Sequence, residues 1–127
     1  MNTTLNLKFP KDFFKNYAKG KPCMIRVAAA AGYQCADVDT TVLCHPSVAG
    51  IKAYGSRKAS APDIAGAWGC NVCHDLCDGR IRPTRNSALA DLAGEGEFLK
   101  MVLQNAILEG ATRTIDALVK AGVLPNP

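Results

Sequence analysis

The sequence predicts a small α+β fold, and three stretches carry that reading. Cys23-Met-Ile-Arg-Val27 and Thr41-Val-Leu-Cys-His45 are short β-prone runs, the second stopped by Pro46. From Glu97 onward, apolar residues recur at helical spacing. Between them, Trp68-Gly-Cys70-Asn-Val-Cys73-His74-Asp-Leu-Cys-Asp78 packs a Cys-x-x-Cys pair, an adjacent His and two carboxylates into one run. Strands first and helices last make an α+β order rather than an alternating α/β one. With 127 residues, 48% of them hydrophobic and 20% charged, the chain is expected to form one globular domain with a modest core.

The elements follow in order. Residues 1–20 read as a basic N-terminal arm or short helix, with Phe13, Phe14 and Tyr17 on one side of Phe9–Ala18 and lysines on the other. Gly20 and Pro22 end it, and residues 21–127 form the domain proper. Ala28 to Gly32 leads into a loop ending at Cys35, and Asp37 to Thr40 reads as a turn. Pro46 to Pro62 lacks a period, is rich in Gly, Ser and Ala, and carries Lys52, Arg57 and Lys58; it reads as a long loop. The apolar run Asp63-Ile-Ala-Gly-Ala-Trp68 leads into the knuckle, and Asn71 to Gly79 forms a short helix stopped by Gly79. C-terminal helices are expected from about residue 86: Asn86–Ala93, then Glu97–Glu109 with Phe98, Met101, Val102, Ala106 and Ile107 lining a face, then Ala111–Ala121 continuing or restarting past Gly110. Such apolar helices could also pack between subunits, as a homodimer.

Charge and cysteine usage narrow the setting. Residues 1–58 hold nine Lys/Arg against three acids, while residues 59–127 hold six against eight. A basic half suits a polyanion such as nucleic acid. No apolar run reaches the length that spans a bilayer, and the first ten residues lack a continuous apolar signal core, so a cytoplasmic protein without membrane contact is expected. Cysteines there stay reduced, which favours metal ligation over disulfides.

Four cysteines fall into two pairs, Cys23 with Cys35 and Cys70 with Cys73, a set suited to a structural four-thiolate Zn²⁺ site. Cys44 and Cys77 remain; Cys77 reads as a small buried hydrophobe. Cys70-Asn-Val-Cys73-His74 also matches the haem-attachment pattern, a rival that leaves Cys23 and Cys35 unexplained. If a helix begins near Asn71, His74 and Asp78 project from one face. Phosphodiester hydrolysis needs a base near neutral pKa, which suits His, and a divalent ion, for which His plus carboxylate leaves positions open to phosphate and water.

Taken together, Cys23…Cys35, Thr41-Val-Leu-Cys-His45, Ala61-Pro-Asp63 and Cys70-Asn-Val-Cys-His-Asp-Leu-Cys-Asp78 resemble the YbcO-like phage and prophage nucleases of the HNH superfamily. Leu108-Glu-Gly-Ala-Thr-Arg-Thr114 and Val119-Lys-Ala-Gly-Val123 resemble that family's C-terminal helix. The resemblance implies a zinc-stabilised ββα-metal (HNH) finger acting as a metal-dependent DNA endonuclease. It implies His45 as general base, Asp63 near the middle position as a ligand or as the group that orients His45, and His74 and Asp78 as ligands of a catalytic Mg²⁺ or Mn²⁺. Cys23, Cys35, Cys70 and Cys73 match the zinc knuckle. Cys44 stands where many HNH enzymes carry Asp or His. Lys52, Arg57 and Lys58 are the expected phosphate contacts. The alternative expectation is a catalytically inactive, zinc-stabilised DNA-binding module.

Overall fold

The computed structural model describes residues 9–46, 63–92 and 96–125. The expected loop with Lys52, Arg57 and Lys58 falls outside them. Among the described residues, three α-helices, α1 (Phe13–Tyr17), α2 (Asn71–Cys77) and α3 (Gly96–Lys120), accompany two short strands, β1 (Val42–Cys44) and β2 (Ala67–Gly69). The strands form an antiparallel pair with Leu43 opposite Trp68 and Cys44 opposite Ala67. The architecture is α+β, as expected, with the chain order β1–β2–α2 at its centre.

The strands are not quite those expected. Thr41–His45 supplies β1, but the partner comes from the Asp63–Trp68 run and its continuation rather than from Cys23–Val27. Met24 donates one backbone hydrogen bond to the Trp68 carbonyl at 2.7 Å. The segment then leaves the sheet because Arg26 adopts a left-handed conformation (φ 56°) and turns its amide toward Cys23 Sγ, 3.5 Å away. The sulfur contact outweighs β propensity. Trp68 N–H is taken by Thr114 Oγ1 of α3 at 3.0 Å, so the outer edge of β2 is covered rather than open.

Helix α3 is one continuous rod across the Gly110 position. Glycine costs helix stability there by about 1 kcal/mol relative to alanine. Packing explains it: a Cβ at Gly110 would stand 3.0 Å from both Ile25 Cα and the Met24 carbonyl oxygen, and 3.1 Å from Ala67 Cβ. The glycine is a close approach of α3 to the Cys23 turn and β2, not a break. Leu103, Ala106, Ile107, Gly110, Ala111, Thr114 and Leu118 form the buried stripe. Ala106 and Ile107 face inward as expected, whereas Phe98 and Met101 are exposed. The expected Asn86–Ala93 helix is only a 3₁₀ turn at Ala90–Leu92.

The sheet separates two apolar clusters. Ile25, Cys44, Ala67, Cys70, Cys73, Leu76 and Leu103 belong to the larger. Trp68, Leu118, Leu124 and Ala18 form the smaller, against which Phe9, Phe14 and Tyr17 pack. The described part of the segment read as an arm, from Phe9 to Tyr17, is thus docked on Trp68, its rings stacked at i, i+4 spacing (Phe9–Phe13 5.1 Å, Phe13–Tyr17 5.7 Å).

Candidate functional site

The four sulfurs of Cys23, Cys35, Cys70 and Cys73 all lie within 4.8 Å of one another. Cys35 Sγ and Cys73 Sγ are 3.8 Å apart. Ligands about 2.3 Å from a tetrahedral Zn²⁺ stand about 3.8 Å from one another, so the donor set fits such an ion. Local structure prepares both halves alike. Cys70 is the N-cap of α2, its sulfur accepting from Cys73 N–H at 3.5 Å, just as Cys23 Sγ accepts from Arg26 N–H. Such amide-to-sulfur bonds orient thiolates and favour their ionised form.

Electrostatics show what the cluster needs. A hydrogen bond from the Cys73 thiol holds Cys23 down to about 4, and that same bond raises Cys73. Burial, with the charge of Cys23 nearby, pushes Cys35 up to about 11. Sulfurs this close cannot all ionise without a cation among them. Cys70 and Cys73 are fully buried. That burial, and convergence with Cys23 and Cys35, disfavours the haem-attachment reading, which requires both thiols to reach a porphyrin.

Two His–Asp pairs stand outside the cluster. His45 follows directly after β1, where strand alternation sends Cys44 into the core and His45 to the other face. Its Nε2 lies 2.8 Å from Asp63 Oδ1, with the side chains 22% and 32% exposed. The β1–β2 pairing accounts for the meeting, because Asp63 begins the 3₁₀ turn (Asp63–Ala65) that feeds β2. On α2, His74 Nε2 lies 3.2 Å from Asp78 Oδ2. The helix ends there in a double turn-closing bond, Gly79 N–H to Leu76 O and Arg80 N–H to Asp75 O, with Gly79 left-handed at φ 78°. That turn brings Arg80 onto Asp75 (3.2 Å) and Asp78 (3.4 Å). No group of three His, Cys, Asp or Glu ligand atoms other than the four cysteines converges among the described residues.

Cys44 and Cys77 are buried thiols. Burial raises Cys44 strongly and pushes Cys77 up to about 12, so both are neutral at physiological pH. Cys77 Sγ donates to the Leu103 carbonyl at 3.6 Å. Cys44 in the core offers no thiolate beside His45.

Residues that the sequence did not single out complete the surroundings. A cleft of about 340 Å³ is lined by Asp78, Arg82, Lys100 and apolar side chains including Leu76, Ile81 and Leu99. The basic turn Arg80–Arg85 was a visible signal for Arg82; Lys100 sits on a helix face and left none.

The fold and site define a small α+β domain with a closed cluster of four cysteines whose geometry fits a metal ion and with surface His–Asp pairs. The chain belongs to the family described as "Putative nuclease YbcO", whose model matches residues 13–123. That family is named for hydrolysis of nucleic acid. The match begins at Phe13, inside the segment read as an arm. A solved structure described as "a putative bacteriophage protein from Escherichia coli str. K-12 substr. MG1655" is similar over 85% of this chain and 98% of its own, with 24% identity and a TM-score of 0.54, a likeness of fold. No curated protein matches the chain. No helix among the described residues is long and apolar enough to cross a membrane.

Proposed function

We propose that this protein is a metal-dependent DNA endonuclease of phage or prophage origin, an HNH-type ββα finger held together by Zn²⁺ on Cys23, Cys35, Cys70 and Cys73. The observation that carries the reading is the partly buried His45–Asp63 pair at 2.8 Å, in a chain whose family is named as a nuclease. His45 Nε2–H donates to Asp63 Oδ1, which selects one imidazole tautomer and leaves Nδ1 free to take a proton from water. Asp63 orients the ring and stabilises the imidazolium that results.

His74 and Asp78 are the residues that would hold the catalytic Mg²⁺ or Mn²⁺. Their 3.2 Å separation suits neighbouring ligands of an octahedral ion, which stand about 3.0 Å apart when each is about 2.1 Å from the metal. When bound, such an ion stabilises charge on the phosphate and the leaving oxygen. Arg82 and Lys100, in the same cleft as Asp78, act as phosphate contacts together with Lys52, Arg57 and Lys58. The site of action is the host cytoplasm, and a homodimer through α3 belongs to the same reading.

A plasmid-nicking assay tests the proposal. Cleavage should require added Mg²⁺ or Mn²⁺, stop with EDTA, and disappear in His45→Ala with the fold and zinc content unchanged. Equal cleavage by that variant would overturn the mechanism.

One observation favours a second reading, a catalytically silent DNA-binding module: the buried thiol of Cys44 replaces the ligand position before the base, and no third ligand joins His74 and Asp78 among the described residues. Binding that weakens steeply with salt, without EDTA-reversible cleavage, is its signature.

A further inference from the structure

The cleft between α2 and α3 reaches down to the core rather than stopping at the surface. Its floor includes Leu76 and Leu103, which are core residues, and its sides include Ile81, Pro83 and Leu99. Gly79 and Gly96 also line it, and a Cβ on either would meet nothing within 4 Å. Hydrogen bonds fix both walls. Gln104 Nε2 donates to the Cys77 carbonyl at 3.4 Å and the Cys77 thiol donates to the Leu103 carbonyl at 3.6 Å, tying α2 to α3. On the other side, Tyr33 Oη donates to the Arg82 carbonyl at 2.7 Å, and Thr84 N–H donates to the Ala31 carbonyl at 2.9 Å. Those two bonds pin the basic turn to the segment before Cys35. The volume, about 340 Å³, lies at the lower end of the range for pockets that hold a small molecule, about 300–1,000 Å³.

We propose that this cleft receives a single unstacked DNA base, that of the nucleotide whose phosphate lies at the His74–Asp78 pair. The protein then acts where a base is already unpaired rather than on intact duplex. The lining selects that occupant. Arg82 and Lys100 stand exposed in the cleft wall. Neither has an acidic partner among the described residues, whereas Arg80 and Lys120 are held by acids. A purely apolar ligand would use the floor and leave the two cations without a counterpart. A free phosphate would use the cations and leave the floor bare. One nucleotide uses both: apolar side chains take the faces of an extruded base, and polar groups read its edge and hold its backbone.

Asp78 is common to the cleft and to the His74–Asp78 pair. A base and its own phosphate, joined by one sugar, can therefore occupy the two together. In a duplex the base must first be unstacked and unpaired, a cost that is least where it has no partner. The inference rests on the nuclease reading of His74 and Asp78, and the test separates the two.

Fluorescence anisotropy of the zinc-loaded full chain, at fixed salt and with Ca²⁺ as the divalent ion, compares three labelled duplexes of one sequence. One is fully paired, one carries a single bulged base, and one carries an abasic sugar at the bulge. The bulged base should bind more than roughly tenfold tighter than the paired duplex, and the abasic bulge should lose that gain. Leu99→Trp, which fills the cleft, should also lose the gain while keeping its affinity for the paired duplex. Gly96→Leu, at the exposed first residue of α3, should do the same, with zinc content and circular dichroism unchanged in both variants. Equal affinity for the three duplexes, or an abasic bulge bound as tightly as the bulged base, overturns the inference and leaves the nuclease reading standing. Filled-cleft variants that keep the full preference overturn it as well. A chain that binds none of the three overturns both.

Discussion

The four-cysteine cluster and the two His–Asp pairs are neighbours in sequence yet opposite in construction. Cys70 and Cys73 are fully buried and meet sulfurs from Cys23 and Cys35, so every donor a tetrahedral ion needs is already in place. His45 with Asp63 and His74 with Asp78 are 22–41% exposed, and each pair is only two groups. A donor set that is complete and dry suits an ion that holds a fold; one that is wet and incomplete suits groups that must admit a substrate. Cys73 and His74 are consecutive, and α2 alone sends one inward and the other out.

The sharpest way to break that contrast is to remove one ligand from each region. With the proposed Zn²⁺ in the cluster, Cys73→Ser should abolish metal binding and cooperative folding, because a structural zinc contributes on the order of 10 kcal/mol to small domains; metal content and thermal melting check it. On the open side, His45→Ala or Asp63→Asn should leave melting and zinc content near wild type while reducing cleavage about 10²–10⁴-fold, the usual contribution of an acid–base group. If Asp63→Asn changed stability as much as Cys73→Ser, the division into two kinds of site would fail.

Smaller effects sharpen it. Gly110→Ala forces a methyl to within 3.0 Å of backbone next to Cys23 and should destabilise the zinc-loaded protein by roughly 1–3 kcal/mol in urea unfolding. Cys77 gives a pH test. Its thiol is pushed up from the ordinary 9.0 to about 12, so the unfolded chain ionises first. The stabilisation is present below pH 9.0 and lost as pH rises toward about 12. Cys77→Ala should therefore lose less stability than wild type across that window, measured as the difference between the two unfolding curves. Least of all, Arg26→Gly relieves a left-handed backbone at φ 56° and should raise stability by no more than roughly 1 kcal/mol.

Much of the four-cysteine cluster was legible in the sequence, because Cys-x-x-Cys on a helix start is a local geometry and the other two cysteines had no better use. Helix α2 with its His74/Asp78 pair was legible for the same reason: capping, four-residue spacing and Gly79 are local signals. The first expected strand misled, since β-branched and apolar residues at Cys23–Val27 look like a strand until the Arg26 amide turns toward the sulfur. Phe98 and Met101 misled because two apolar stripes share one helix, and periodicity alone does not say which faces the core. Asn86–Ala93 has helical propensity, but only the 3₁₀ turn Ala90–Leu92 forms there.

The sequence by itself determined the α+β class, the four cysteines that cluster, the short helix that divides Cys73 from His74, and the resemblance to the YbcO family that the match over residues 13–123 bears out. Each of these rests on spacing within a few residues or on a motif that survives without knowledge of packing. Only the tertiary structure decided that β2 pairs with β1, that His45 meets Asp63, that Gly110 is a close approach rather than a break, and which side of α3 is left uncovered. Those are long-range facts, set by which surfaces meet once the chain has folded, and neither propensity nor periodicity along the chain encodes them separately.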